Sequence, residues 1–194
     1  MRLYSRSGAR LYLNRSECDR FSTIARQQEP HIAMLCLCLL YTGCRISEAV
    51  NLTIGDIQCE EATIAINSLK KRDKASVREI SVPPVFIQKL EARISGTHKC
   101  DASNSQHHRL WPVERTTAWR WVKQVMADAE IIGLQASPKG LRHAFGIRAV
   151  QSGIPLNLVQ KWLGHTQLST TAIYANAVGS EEHGIAMRMW GRVK

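Results

Sequence analysis

His165 follows a glycine in "WLGHTQLSTTAIYAN" (162–176), and Tyr174 lies nine residues beyond it, with no acidic side chain in the stretch. A phenol with an ordinary pKa near ~10 attacks at neutral pH only where its surroundings favour the anion. Carboxylates would oppose that, and they would repel an anionic substrate. Upstream, "SPKGLRH" (137–143) puts Lys139 in the first turn of an expected helix and Arg142 on the same face three residues later. Cations are disfavoured at the positive end of a helix dipole, yet beside free backbone N–H groups they make a site for phosphate. A solvated face is the competing reading. Arg45, in "YTGCRISEAV" (41–50), falls in a turn between two expected helices, where a scaffold holds a side chain rigidly while leaving it exposed. Its competing role is a local salt bridge with Glu48, and the sequence leaves both open.

The charge balance points the same way. Lys and Arg total 26 against 16 acids, a net charge of +10, which implies a polyanionic partner such as nucleic acid or an acidic membrane surface. From Ile131 to Ser180 there is no Asp or Glu, while Lys139, Arg142, Arg148 and Lys161 lie within that stretch. Six cysteines show no C-x-x-C pair and no histidine at zinc spacing, so they read as reduced thiols without a metal. The longest apolar run, "IAMLCLCLLY" (32–41), has ten residues, half of a membrane span. The basic N-terminus lacks the apolar core of a signal peptide. These features fit an intracellular, cytoplasmic protein.

The elements that must position these side chains are mostly helical. Asn14 and Glu17 form a capping-box start, Pro30 opens a buried helix that Gly43 stops, and Ser47 begins a short one. Ile64 and Ile66 share one face of a strand and Ile80 and Val82 one face of another, with a basic turn between, which predicts a β-hairpin. A helix follows Val85, then a polar loop over 95–108. The next helix, "RTTAWRWVKQVMADAEI", has Trp119, Val122, Met126 and Ala129 on its core side, and Arg115, Arg120 and Lys123 placed for a phosphate backbone or for water. Ser137 and Pro138 start a helix that Gly153 ends, Leu156, Val159 and Leu163 turn inward on another that Gly164 ends, and Ser169 is a plausible N-cap for the segment carrying Tyr174. The fold class is mainly α with a small antiparallel β element. The expected organisation is a basic arm over 1–13, one domain over 14–178 and a helical tail over 179–194.

Four stretches, "TGCRISEAVNLTIGDI", "LKK…VREISVPP", "SPKGLRHAFGIRAV" and "WLGHTQLSTTAIY", resemble in order the signature boxes of the tyrosine recombinases, the integrase-type site-specific DNA recombinases. The resemblance spans roughly residues 14 to 178, and its specific parts are the Arg–His pair, the Gly–His pair 22 residues after that His, and the tyrosine nine further on. It implies that Tyr174 attacks a DNA phosphodiester to give a 3′-phosphotyrosine and a free 5′-hydroxyl. Arg45 and Arg142 would hold the non-bridging oxygens through planar donor forks. Lys70 is the first choice for protonating the leaving oxygen, with Lys71 and Lys74 as alternatives that otherwise contact DNA. His165 would donate to a phosphoryl oxygen or assist proton transfer. No cofactor or metal is implied, because the stretch lacks the carboxylate cluster that a two-metal nuclease needs, and phosphodiester exchange is nearly isoenergetic.

The chain departs from the family pattern in two places. Lys139 stands where histidine is usual and reads as an electrostatic anchor, since only histidine titrates near neutrality. His143 matches the pattern and is either a DNA contact or a buried hydrogen-bonder. Many relatives precede this domain with a DNA-clamping helical domain, whereas about a dozen residues precede Asn14 here. The expectation is a minimal recombinase with steeply salt-dependent binding, acting as a homo-oligomer on paired duplex sites, a tetramer in synapsis, with an accessory DNA-binding protein possible. Its setting would be the prokaryotic nucleoid, and its tail, carrying Ile185, Met189 and Trp190, would dock on its own domain or on a neighbour. The rival readings are a type IB topoisomerase-like enzyme relaxing DNA as a monomer and a non-catalytic DNA-binding regulator.

Overall fold

A computed structural model describes residues 2–68, 77–97 and 107–175. In order, the elements are α1 (Arg15–Gln27), α2 (Pro30–Thr42), α3 (Ile46–Ala49), a 3-10 turn (Ile54–Asp56), β1 (Ile57–Gln58), β2 (Thr63–Asn67), β3 (Val77–Ser81), α4 (Pro84–Thr97), α5 (Arg115–Asp128), α6 (Pro138–Gln151), α7 (Leu156–Leu163) and α8 (Ser169–Ala172). The strands form one antiparallel sheet in the order β1-β2-β3. The fold is therefore mainly helical with a small sheet, as the apolar periodicity predicts.

α2 is the hub. Its sequence is apolar on every side, the signature of a helix surrounded by others, and Leu35, Leu37, Leu39 and Leu40 are all nearly without exposure. α1, α5 and α6 pack around it. α1 begins with a capping box in which Asn14 Oδ1 accepts from the Glu17 backbone N–H at 2.8 Å and Glu17 accepts from the Asn14 N–H at 2.8 Å. Such a cap contributes about 1 kcal/mol. Phe21 and Ala25, four residues apart, turn the same face of α1 inward.

In the sheet, Ile64 faces Ile80 and Ile66 faces Arg78 across the β2/β3 ladder. The inward positions of β3 are Arg78 and Ile80, so a cation sits where alternation calls for an apolar residue. α7 packs on β3 and α6, bringing the C-terminal helices to the sheet edge.

Several local expectations change in detail. Residues 2–13, expected as a basic arm, lie on the domain: Leu3, Tyr12 and Leu13 are in the core, and Arg10 forks onto Glu17 at 2.7 and 2.9 Å. α3 starts at Ile46 rather than Ser47. Leu168, not Ser169, precedes α8, and no side chain caps it. Trp119, expected on the core side of α5, is 44% exposed with Lys123 Nζ 6.0 Å from its ring centroid. The helix turns that position toward water, and the inward aromatic is instead Trp121, which meets His31 edge-on. Cys18, Cys36, Cys38 and Cys44 are buried free thiols, and no cluster of metal-ligating side chains occurs among the described residues. No described helix is long and apolar enough to cross a membrane.

Candidate active site

The α2–α3 turn begins with Gly43 at φ +60, a left-handed end that allows the chain to reverse directly into Cys44 and Arg45. Arg45 precedes α3, where its backbone N–H donates to Glu48 Oε2 at 2.8 Å and its guanidinium to Glu48 Oε1 at 2.8 Å. The Arg45 side chain keeps 29% exposure while Glu48 is buried. Both open roles for Arg45 are thus occupied together: it is salt-bridged on one side and faces a cleft with the rest of its fork.

Arg142 rises from α6, whose start is fixed by Ser137 Oγ accepting from the Gly140 N–H at 3.1 Å. It is 5% exposed and donates to the Gly43 carbonyl at 2.9 Å and the Leu163 carbonyl at 2.5 Å. This one side chain therefore ties the turn carrying Arg45 to the end of α7, and three of its five N–H donors remain beyond those two bonds. Burial, reinforced by repulsion from Arg45, pushes its pKa down to about 10, so it stays cationic at neutral pH.

His165 emerges from α7 just after Gly164, whose φ of +63 ends that helix. Its Nδ1 lies 2.9 Å from Thr171 Oγ1, and its Nε2 is buried without a partner. Burial, together with Arg142, Arg45 and Arg78, pushes the imidazole pKa down to about 4. At neutral pH the ring is uncharged. A Thr171 hydroxyl donating to Nδ1 would put the proton on Nε2 and leave an unpaired N–H donor on a residue that lines a cleft with Arg45.

Tyr174 is 1% exposed. Its ring stacks on His165 with centroids 6.3 Å apart and planes at 16°, and its hydroxyl lies 3.3 Å from His143 Nδ1. The ring fits against α6 only because residue 146 is glycine: a Cβ there would come 2.6 Å from the ring. Burial pushes the phenol pKa up to about 12, and the opposing pull of Arg142 and Arg45 does not overcome it. The expected depression by a cationic field is therefore outweighed by desolvation in the free protein.

A cleft of about 430 Å³ is lined by Arg45, Arg78, Lys161, Gly164, His165 and Thr170. Ser68 and Val77, the residues flanking 69–76, also line it. Lys70, Lys71 and Lys74 fall in 69–76, outside the described residues. Lys139, Arg115 and Arg120 are exposed. Lys123 is directed elsewhere than expected, its ammonium donating to the Ala136 carbonyl at 2.8 Å. His143 is corrected as a DNA contact: it is buried at 0% exposure, and burial, with Lys139 and Arg142 nearby, pushes its pKa down to about 4. Two side chains that hold the site escaped the sequence reading, Arg78 and Thr171. For Arg78 a signal existed, because alternation from Ile80 and Val82 places it on the core face of its strand. Thr171 had none.

Comparison with known proteins identifies the family. Residues 12–180 match the model of the phage integrase family. The chain belongs to that family. Among its relatives, tyrosine recombinase XerD of Neisseria meningitidis serogroup A is 33% identical over 154 residues, covering 76% of this chain and 51% of the relative. Tyrosine recombinase XerA of Pyrococcus furiosus is 27% identical over 167 residues, covering 84% and 56%. This integrase-family chain thus spans about half the length of the curated relatives it matches. In fold it is similar to the crystal structure of XerA recombinase, with a TM-score of 0.75 at 25% identity over 94% of this chain and 65% of that one. It also resembles the catalytic domain of bacteriophage HP1 integrase, with a TM-score of 0.65 at 20% identity over 91% and 93%.

Proposed function

We propose that this chain cleaves and rejoins duplex DNA through a covalent phosphotyrosine at Tyr174, as a site-specific recombinase. The observation that carries the reading is the meeting of these residues from separate segments: His165 stacks on Tyr174, Arg45 and His165 line one cleft, and Arg142 ties the turn before Arg45 to the helix end before His165. Family membership supplies the chemistry. The structures of XerH bound to difH substrate and of the Tn1549 transposon integrase with transposon end DNA support duplex DNA as the substrate class.

In the proposed step, a backbone phosphate enters the cleft and takes donors from Arg45, from Arg142 and from His165 Nε2–H. The Tyr174 oxygen attacks phosphorus opposite the 5′ oxygen. The phenol passes its proton to an acceptor, His143 Nδ1 being 3.3 Å from it. The phosphorus–phenol bond forms as the bond to O5′ breaks, and a lysine of 69–76, with Lys70 first, protonates the departing 5′ oxygen to a hydroxyl. The reverse attack by a 5′-hydroxyl reseals the strand without consuming a nucleotide. Because Tyr174 is 1% exposed, DNA binding must uncover the phenol first. Charge-assisted donors to the phosphate then offset the growing negative charge, an effect worth about 2.7–4 kcal/mol for each donor removed elsewhere.

Strand exchange would use two or more protomers on paired sites in the cytoplasm, with Lys139, Arg115 and Arg120 as exposed phosphate anchors. The test is covalent trapping on a library of nicked duplexes, with sequencing of the captured ends. An adduct resistant to denaturant and lost in Tyr174→Phe supports the reading. Adducts that persist without the phenol hydroxyl, or DNA binding with no adduct from the unaltered chain, refute it. Plasmids with two copies of the captured site then separate exchange from relaxation.

A further inference from the structure

Arg78 is a charged residue on the buried face of β3, two positions before Ile80, and only 3% exposed. Its Nε donates to the Trp162 carbonyl at 2.7 Å, and its Nη2 to Glu48 Oε2 at 2.5 Å. Its Nη1 is buried without a partner and packs against Gly164, where a Cβ would come 3.2 Å from it. The two ends of this side chain therefore touch the carboxylate that holds Arg45 and the helix end that presents His165.

Resting on the recombinase reading above, we infer that Arg78 is a positioning residue for strand cleavage: it braces Glu48 against the end of α7, so that Arg45 and His165 address one phosphate.

Two arguments support the assignment. Stability alone does not explain a buried guanidinium in this place, since replacing buried ion pairs by apolar residues of similar volume is commonly neutral or stabilising. What Arg78 adds is a fixed geometry between segments 30 residues apart in one direction and 84 in the other. Charge gives the second argument. Arg45 and Glu48 alone sum to zero, and a lone partner would hold Arg45 back from the cleft. Adding Arg78 leaves the trio at +1, and Glu48 divides its oxygens between two cations, so the Arg45 fork keeps net positive charge toward the phosphate. Arg142 forms a second strut beside it, from the Gly43 carbonyl to the Leu163 carbonyl. Arg78 and Arg142 thus bind consecutive carbonyls of α7, and they reach respectively Glu48 in α3 and Gly43 in the turn before it.

The experiment compares Arg78→Lys, Arg78→Met and the double variant Glu48→Gln/Arg78→Met. It measures single-turnover adduct formation at saturating DNA, DNA affinity, and the His165 titration by NMR. A positioning role predicts that Arg78→Met lowers the cleavage rate ~100-fold, the scale of a displaced catalytic geometry, with affinity changed by less than about threefold. Arg78→Lys, which keeps the charge but only one of the two arms, recovers part of that loss. The double variant, in which an uncharged amide no longer restrains Arg45, is faster than Arg78→Met by about tenfold and is the form expected to stay folded if the single variant does not. His165 titrates higher in Arg78→Met than in the unaltered chain. Arg78→Met cleaving within about threefold of the unaltered chain, a loss confined to affinity, or a double variant no faster than a folded single one would each overturn the inference. If the unaltered chain forms no adduct, the recombinase reading falls, and an unmoved His165 titration separately overturns the bracing role.

Discussion

The two buried imidazoles make stability pH-dependent in a window where carboxylates do not act. His143 and His165 each have a folded-state pKa of about 4 against the ordinary 6.5. For such groups the unfolded chain takes up a proton that the folded one refuses. Their contribution is complete above pH 6.5 and is lost as pH falls from 6.5 toward 4. Each imidazole costs about 1.4 kcal/mol per pH unit in that interval. Between pH 7 and pH 5 only the part below 6.5 counts, so each contributes roughly 2 kcal/mol. His165 is partly exposed, so solvent screening reduces its share and the joint loss is about 3 kcal/mol. That is a sizeable part of the 5–15 kcal/mol stability of a typical domain. Glu17 and Glu48 are held below the usual carboxylate range, because their arginine partners and backbone N–H donors outweigh the burial that would raise them. Their contribution is lost only at lower pH and does not contaminate the window. Urea unfolding at pH 7 and pH 5 reads the difference directly. His143→Asn, which keeps an acceptor for the Tyr174 hydroxyl but cannot titrate, should remove about half of the loss or more. Stability flat to within about 0.5 kcal/mol between the two pH values, or a His143→Asn variant as pH-sensitive as the unaltered chain, would refute the reasoning.

Three further outcomes follow from the geometry. Tyr174→Phe should abolish the covalent adduct while changing stability by less than about 1 kcal/mol, since it removes one 3.3 Å hydrogen bond together with a desolvated hydroxyl; denaturation and trapping on the same preparation check both. Gly146→Ala places a methyl 2.6 Å from the Tyr174 ring; it should dislodge the ring at a packing cost of about 1–3 kcal/mol, offset by about 1 kcal/mol of helix propensity, and tetranitromethane should nitrate Tyr174 faster. Thr171→Val removes the hydroxyl 2.9 Å from His165 Nδ1 without changing volume much; the imidazole loses its fixed tautomer, and single-turnover cleavage should fall about tenfold, within the range of general acid–base contributions, with DNA affinity unchanged.

What the sequence made legible was local. Asn14 with Glu17, Ser137 with Gly140 and the glycines ending α2 and α7 each satisfy groups within a few residues, so residue type and spacing suffice to place them. Family boxes located Arg45, Arg142, His165 and Tyr174 because the motifs are ordered along the chain. The supports of those residues were not legible. Arg142 is held by carbonyls 99 and 21 residues away, and a carbonyl carries no signature in the sequence. Trp119 shows the opposite failure: a helical stripe gave it an inward place, but the helix buries Val122 and Met126 and leaves that edge in water. The state of Tyr174 was misjudged for a related reason. Counting charges along the chain gives the sign of the field, whereas the pKa is set by how much water the fold removes.

These observations bear on how a basic site can be stable before its substrate arrives. Arg45, Arg78 and Arg142 carry like charge, and Arg45 and Arg78 both act to lower the pKa of Arg142. Among the described residues, Glu48 is the only carboxylate bonded to any of them, so backbone carbonyls of Gly43, Trp162 and Leu163 do much of the compensation. Carbonyl dipoles hold a guanidinium in place without cancelling its charge, which a carboxylate would do. The site therefore keeps its cations fixed and still positive, while the two histidines remain neutral and the phenol remains protonated. In the proposed reaction an incoming phosphate would meet donors that need little reorganisation, and the group that must change state is Tyr174, buried against Gly146. On that reading catalytic readiness is separated from nucleophile exposure: the first would lie in the carbonyl-held arginines, and the second would wait on the movement of one ring.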